Sequence, residues 1–166
     1  LIGLFMDDPQ QDKLHLYKHS LRVRACGIYL REDRILLVGH QLSEHQTTFW
    51  APPGGGVLFS EKASEAVQRE FLEETGLQVV TGDLLFVNEY IGNSLHALEL
   101  YFQVHFMDGE VRLGLDPEFP QEDQNLKAIA FMTLEQIHQL PENAVHPLFS
   151  KIQKLEDILL LSGMLQ

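Results

Sequence analysis

The run Pro52-Pro53-Gly54-Gly55-Gly56 constrains this chain more than any other feature. Two prolines and three glycines in succession exclude a helix and favour a tight, irregular loop from Phe49 to Gly56. Six residues later the pattern reverses. Lys62 to Thr75 carries Ala63, Ala66, Val67 and Phe71 as one apolar stripe at helical spacing, and Gly76 stops it. A glycine loop is thus tied by a short segment to a helix with a defined end. The flanks read mainly as strands. Ser20 to Leu30 alternates Leu21, Val23 and Ala25 with Arg22 and Arg24, Glu32-Asp33 turns, and Arg34 to Gly39 returns. Gln41 to Thr48 is a polar loop. After the helix, Val79 to Tyr90 and Leu95 to Met107 read as strands joined at Gly92-Asn93, followed by an acidic loop over 108–125. Leu126 to Met132 is the last strand expected. Leu134 to Leu140 reads as a short helix and Pro147 to Leu161 as a longer closing one. Residues 1–19 are poorly patterned, which leaves an N-terminal arm, a short helix and an edge strand open. This order predicts an α+β chain, a mixed sheet with helices on both faces. No repeat or linker divides residues 1–166, so one domain is expected.

The chain has 166 residues, 45% of them apolar, with a single cysteine, Cys26. An intramolecular disulfide is impossible, and a lone buried thiol fits a reducing, cytoplasmic setting. No apolar run approaches the ~18–20 residues that span a bilayer. Leu1 to Gln10 lacks the basic flank and apolar core of a signal peptide. The net charge of −12 opposes DNA and anionic lipid as partners. That charge is unevenly placed. Residues 20–54 carry a net +1, residues 55–77 a net −3 and residues 108–123 a net −5.

The middle block holds the chemistry. On a helix, Glu70, Glu73 and Glu74 lie on one side of the last two turns. Like charges so close repel, and the helix dipole disfavours anions at this end. A hard divalent cation such as Mg²⁺ or Mn²⁺ removes the conflict, because it selects carboxylate oxygens. Glu61 and Arg69 are two turns apart, so a salt bridge from Arg69 can fix a glutamate rotamer. The competing reading of three glutamates alone is a solvated acidic face.

The full spacing is Gly55, five residues, Glu61, seven residues, then Arg69-Glu70-Phe71-Leu72-Glu73-Glu74-Thr75-Gly76-Leu77. It resembles the signature of the Nudix hydrolases at every constrained position, with Trp50, Pro53 and Gly54 similar to the approach. The resemblance implies an α/β/α sandwich with a mixed β-sheet. It implies a metal-dependent hydrolase that cleaves the pyrophosphate of a nucleoside diphosphate linked to another moiety. Divalent ions on the carboxylates would neutralise the diphosphate and acidify the attacking water. Carried over by position, Glu70, Glu73 and Glu74 are metal ligands, with the Gly54 carbonyl as a backbone ligand, and Glu61 and Arg69 orient them. The motif does not fix the general base, which in the family is a box glutamate or a carboxylate from a later loop; here that loop offers Asp116, Glu118, Glu122 and Asp123, with Glu118 or Glu122 preferred. Arg22 and Arg24 share a strand face and are candidates for a substrate phosphate, together with Gly55. Trp50, Phe49, Tyr90 or Phe106 can stack on a base, although Trp50 fits core packing equally well. Many relatives are dimers, which leaves a homodimer open.

Other readings stay beside this one. A catalytically silent nucleotide-binding or sensor module would share the fold, but no box carboxylate is lost here. The eight histidines have no ligand-like spacing and read as surface or core. The proline that marks the ADP-ribose subset is missing, since no proline lies between Leu77 and Asp116. Nucleoside triphosphates, nucleotide sugars and similar diphosphates all remain open as substrates.

Overall fold

A computed structural model describes residues 20–41, 47–92, 96–115 and 124–165. Strand β1 (Leu21–Ile28) lies between β5 (Gly54–Gly56), antiparallel on one side, and β7 (His96–Asp108), parallel on the other. Strand β6 (Gln78–Ile91) pairs antiparallel with β7, and its outer edge takes a two-residue parallel contact from β9 (Met164–Leu165). The mixed sheet therefore runs β5-β1-β7-β6-β9. In a second, antiparallel sheet, β3 (Arg34–Gln41) pairs with β2 (Leu30–Arg31), β4 (Thr48–Ala51) and β8 (Leu126–Met132).

Strand parity divides the interior into two cores. Helix α1 (Ala63–Thr75) buries Ala66, Val67 and Phe71 against Ala25, Val79, Val104 and Leu36. The neighbouring positions Cys26, Ile28, Ile35 and Leu37 point the other way and meet Phe86, Tyr101 and the C-terminal Leu148, Phe149 and Ile158. Gly27 belongs to the first core because a Cβ there would come 2.4 Å from the Phe71 ring. Sheets thus lie between α1 and the C-terminal helical turns, as the sandwich requires. Cys26 is buried and free, and burial pushes its thiol up to about 12. No helix among the described residues is long and apolar enough to cross a membrane.

Two expectations need correction. The segment Phe49 to Gly56 is not an irregular loop. It forms β4 and β5, broken only at Pro52-Pro53, because the glycines fit closely along the edge of β1. The closing helix from Pro147 to Leu161 is instead two 3₁₀ helices, Pro147–Lys151 and Leu155–Leu160. Phe149, Ile152, Leu155 and Ile158 are all buried at intervals of three. That spacing suits three residues per turn better than 3.6. A further 3₁₀ turn, Glu142–Ala144, and strand β9 were not foreseen. The short helix is present as α2 (Leu134–His138), capped by the Thr133 hydroxyl accepting from Gln136 N–H at 3.2 Å. Residues 1–19, most of the polar loop after Gln41, and Asn93 of the hairpin turn lie outside the described residues.

Burial, reinforced by the Arg24 charge, pushes His40 down to about 4, so the folded chain refuses a proton that the unfolded chain accepts near 6.5. Stability should therefore fall as pH drops below that value, by up to ~2 kcal/mol at pH 5. Denaturant titrations at pH 7 and pH 5 check this. The wild type should lose more than His40→Gln over that interval, and equal losses would contradict it.

Candidate active site

The site is built where α1 meets β5. Lys62 opens the helix without a side-chain cap, and the Glu65 carboxylate accepts from the Lys62 backbone N–H at 3.2 Å instead. The last turn closes on Gly76, whose φ of 73° favours glycine. The orphan carbonyls of that end are taken by the following loop. Arg112 N–H donates to the Thr75 carbonyl at 2.9 Å, Gly114 N–H to Glu74 at 2.9 Å and Leu115 N–H to Glu73 at 3.2 Å. The acidic segment that leaves β7 at Asp108 thus runs past the end of the carboxylate helix. Asp116, Glu118, Glu122 and Asp123 lie outside the described residues.

Arg69 organises the carboxylates. Its Nε and Nη2 donate to Glu61 at 2.8 and 3.0 Å, and Nη1 reaches Glu70 at 2.6 Å and Glu73 at 3.2 Å. Nη2 also donates to the Gly56 carbonyl at 3.0 Å. These bonds, led by the one to Glu61, hold the guanidinium more firmly protonated than usual against the opposing effect of burial. The same bond keeps the Glu61 carboxyl below its usual range. Glu61 in turn accepts from Leu58 N–H at 2.9 Å, which fixes the loop before the helix.

The glycine strand β5 meets the carboxylates from the other side. Gly54 N–H donates to the buried Glu74 carboxylate at 2.9 Å. A Cβ on Gly55 would fall 2.4–2.6 Å from all three carboxyl atoms of Glu70. Glu70 and Glu73 are therefore gathered on Arg69, and Glu74 is held separately by the glycine strand. Among the described residues no three His, Cys, Asp or Glu side chains are grouped closely enough to hold a metal ion. The donor set itself fits a hard cation. It consists of oxygens only: Glu61, Glu70 and Glu73 meet the Arg69 guanidinium, and Glu74 meets the Gly54 N–H.

Arg24 sits on the Gly54 carbonyl, donating from Nη2 at 2.8 Å. Its Nη1 lies 3.6 Å from Glu99 Oε1, and its Nε is buried without a hydrogen-bond partner. Arg22 is half-buried on the same strand face. Trp50 is half-buried on β4 and packs against the core that holds Leu148 and Phe149, so its packing role is met. Tyr90 and Phe106 are half exposed.

Sequence reasoning missed a buried polar group next to Arg24. The register aligns Gly56, Arg24, Glu99 and Asn88 as a row across four strands. Glu99 accepts from Asn88 Nδ2 at 2.9 Å and meets His146 Nε2 at 3.1 Å, with Tyr101 Oη 3.0 Å from that nitrogen. His146 Nδ1 accepts from Leu148 N–H at 3.1 Å, which places the ring proton on Nε2. Burial pushes the Glu99 carboxyl up, but the His146 bond, Arg24 and Asn88 together bring it down to about 2. The signal was a lone acid in the apolar run Ala97-Leu98-Glu99-Leu100-Tyr101.

Comparison with known proteins gives the family and the fold. The NUDIX domain family model matches residues 19–151. An ADP-ribose pyrophosphatase of Methanocaldococcus jannaschii is 32% identical over 123 residues, covering 72% of each chain. The crystal structure of a MutT NUDIX hydrolase from Burkholderia pseudomallei is 27% identical and superimposes with a TM-score of 0.60, covering 77% of this chain and 92% of that one. A MutT protein from Methanosarcina mazei shares the fold at a TM-score of 0.63 and 21% identity, over 83% and 92% of the two chains. A box with every constrained residue in place, on a fold shared with these proteins, makes this chain a member of the NUDIX domain family.

Proposed function

We propose that the box holds a divalent cation, Mg²⁺ or Mn²⁺, and that the substrate is a nucleoside diphosphate linked to another moiety. The chain is a Nudix-type pyrophosphohydrolase. The observation that carries the metal reading is the Arg69 fork, which holds Glu61, Glu70 and Glu73 beside the oxygen-rich glycine strand. Glu70, Glu73, Glu74 and the Gly54 carbonyl would be the ligands. When bound, the cation would neutralise the diphosphate and acidify a water. Arg69 keeps the carboxylate rotamers fixed, so little reorganisation is needed during reaction. Arg22 and Arg24 supply positive charge on the neighbouring strand face for a phosphate. The water oxygen bonds to phosphorus as the bridging P–O bond breaks, and the bridging oxygen leaves with the electron pair. Glu118 or Glu122 takes the proton of that water. The bond from Leu115 to the Glu73 carbonyl supports seeking the base in this segment, because it holds the chain at the box three residues before Glu118.

The name of the 32%-identical relative makes ADP-ribose the first substrate to test, while the absent proline past the box keeps nucleotide sugars and nucleoside triphosphates beside it. A panel assayed for phosphate, pyrophosphate and nucleoside monophosphate release should show turnover that stops in EDTA. Glu73→Gln or Glu74→Gln should lower kcat at least about a hundredfold while the fold persists by circular dichroism. Full activity in either variant, or in EDTA, would overturn the metal reading. Binding without turnover across the panel would favour the silent module.

Gly55→Ala tests the glycine strand separately. Its Cβ overlaps the Glu70 carboxylate, so that group must move, and activity should drop about tenfold or more. Wild-type activity in Gly55→Ala would show that the position of Glu70 is not used.

A further inference from the structure

Arg24 is shared between two acceptors, and only one of them belongs to the box. Nη2 makes a good hydrogen bond to the Gly54 carbonyl, whereas Nη1 stops 3.6 Å from Glu99, beyond hydrogen-bond length. Nε is buried without a partner, so the guanidinium is under-satisfied where it lies. Glu99 is not free to approach Arg24. Asn88 and His146 fix its Oε2 at 2.9 and 3.1 Å, and Tyr101 lies alongside at 3.4 Å. The carboxylate is 8% exposed, so its charge acts in a poorly screened setting. The outcome is a fixed buried anion, one short movement away from a guanidinium that covers a box carbonyl.

We infer that Glu99 is a positioning residue for the box: it receives Arg24 when a cation takes the Gly54 carbonyl. A cation at that oxygen repels Arg24. With Glu99 charged and fixed, the guanidinium closes the remaining gap and stays in place as an ion pair beside the glycine strand. Without that charge, Arg24 has only the carbonyl to bind, and it competes with the cation. Asn88, Tyr101 and His146 act through Glu99 by holding its Oε2 still, which leaves Oε1 toward Arg24. The inference rests on the proposed cation site and adds what governs its loading.

The test is Mn²⁺ affinity, read by calorimetry or by the free-ion EPR signal, without substrate. Glu99→Gln keeps the shape and removes the charge. It should weaken Mn²⁺ binding about fivefold in the wild-type background and leave it unchanged in Arg24→Ala. Asn88→Ala guards against a folding failure of Glu99→Gln. It loosens one hydrogen bond to Glu99 and should weaken Mn²⁺ in the same Arg24-dependent way, by a smaller factor. Equal weakening with and without Arg24 would mean a simple long-range field and would overturn the inference. A lower melting temperature with unchanged Mn²⁺ affinity would overturn it too, as a purely structural role. If the wild type itself binds no Mn²⁺, the proposed function fails and the inference falls with it. If the wild type binds and the variants match it, this inference alone fails.

Discussion

One guanidinium lets the rest of this site exist. Glu70, Glu73 and Glu74 crowd the C-terminal turns of one helix, where neither mutual repulsion nor the dipole favours them, and Glu61 reaches the same cluster from just before its start. Arg69 answers that repulsion with a fork that reaches Glu61, Glu70, Glu73 and the Gly56 carbonyl at once. A lysine carries the same charge but not the planar fork. The glycine strand closes from the opposite side only because Gly55 leaves room for the Glu70 carboxylate and Gly54 offers its N–H to Glu74. Helix, glycine strand and first strand are thereby locked into one arrangement.

The two sheets serve that arrangement. β1 carries Ala25 to the helix side and Arg24 and Cys26 to the other, so a single strand both anchors α1 and faces the site with charge. The overall acidity also takes on a more definite meaning. It is concentrated in the box and in the segment that runs past the end of the box helix, where Arg112, Gly114 and Leu115 cover the last carbonyls. Such a surface suits a small phosphate ester accompanied by a cation better than a nucleic-acid polymer.

Much of this was legible in the residues, and the reasons are local. The helix over 62–75 declares itself through period and its stop glycine, and spacing offers Arg69 a salt bridge to one glutamate, whereas its reach to Glu61, Glu70 and Glu73 together is a tertiary arrangement. β5 was not legible, because Gly opposes strand formation until a neighbouring edge supplies the hydrogen bonds, and the four residues of β4 were hidden between a polar stretch and Pro52-Pro53. The C-terminal segment carries enough leucine to look helical. The three-residue spacing of Phe149, Ile152, Leu155 and Ile158 was the sign that it winds more tightly. The Glu99 network is a tertiary feature. His146 lies 47 positions from Glu99 in sequence; the register of β1, β7 and β6 brings Arg24 and Asn88 to one carboxylate, and the histidine reaches it from the start of a 3₁₀ helix.

The central claim is that the oxygens gathered by Arg69 and the glycine strand form a cation site. Anomalous diffraction at the manganese edge from crystals soaked in Mn²⁺ addresses it most directly. A peak within ligand distance of Glu70, Glu73 or Glu74 and the Gly54 carbonyl is the predicted result, with Arg24 moved from that carbonyl toward Glu99. Saturating Mn²⁺ that leaves no peak there, or a peak elsewhere with Arg24 still on Gly54, would contradict it.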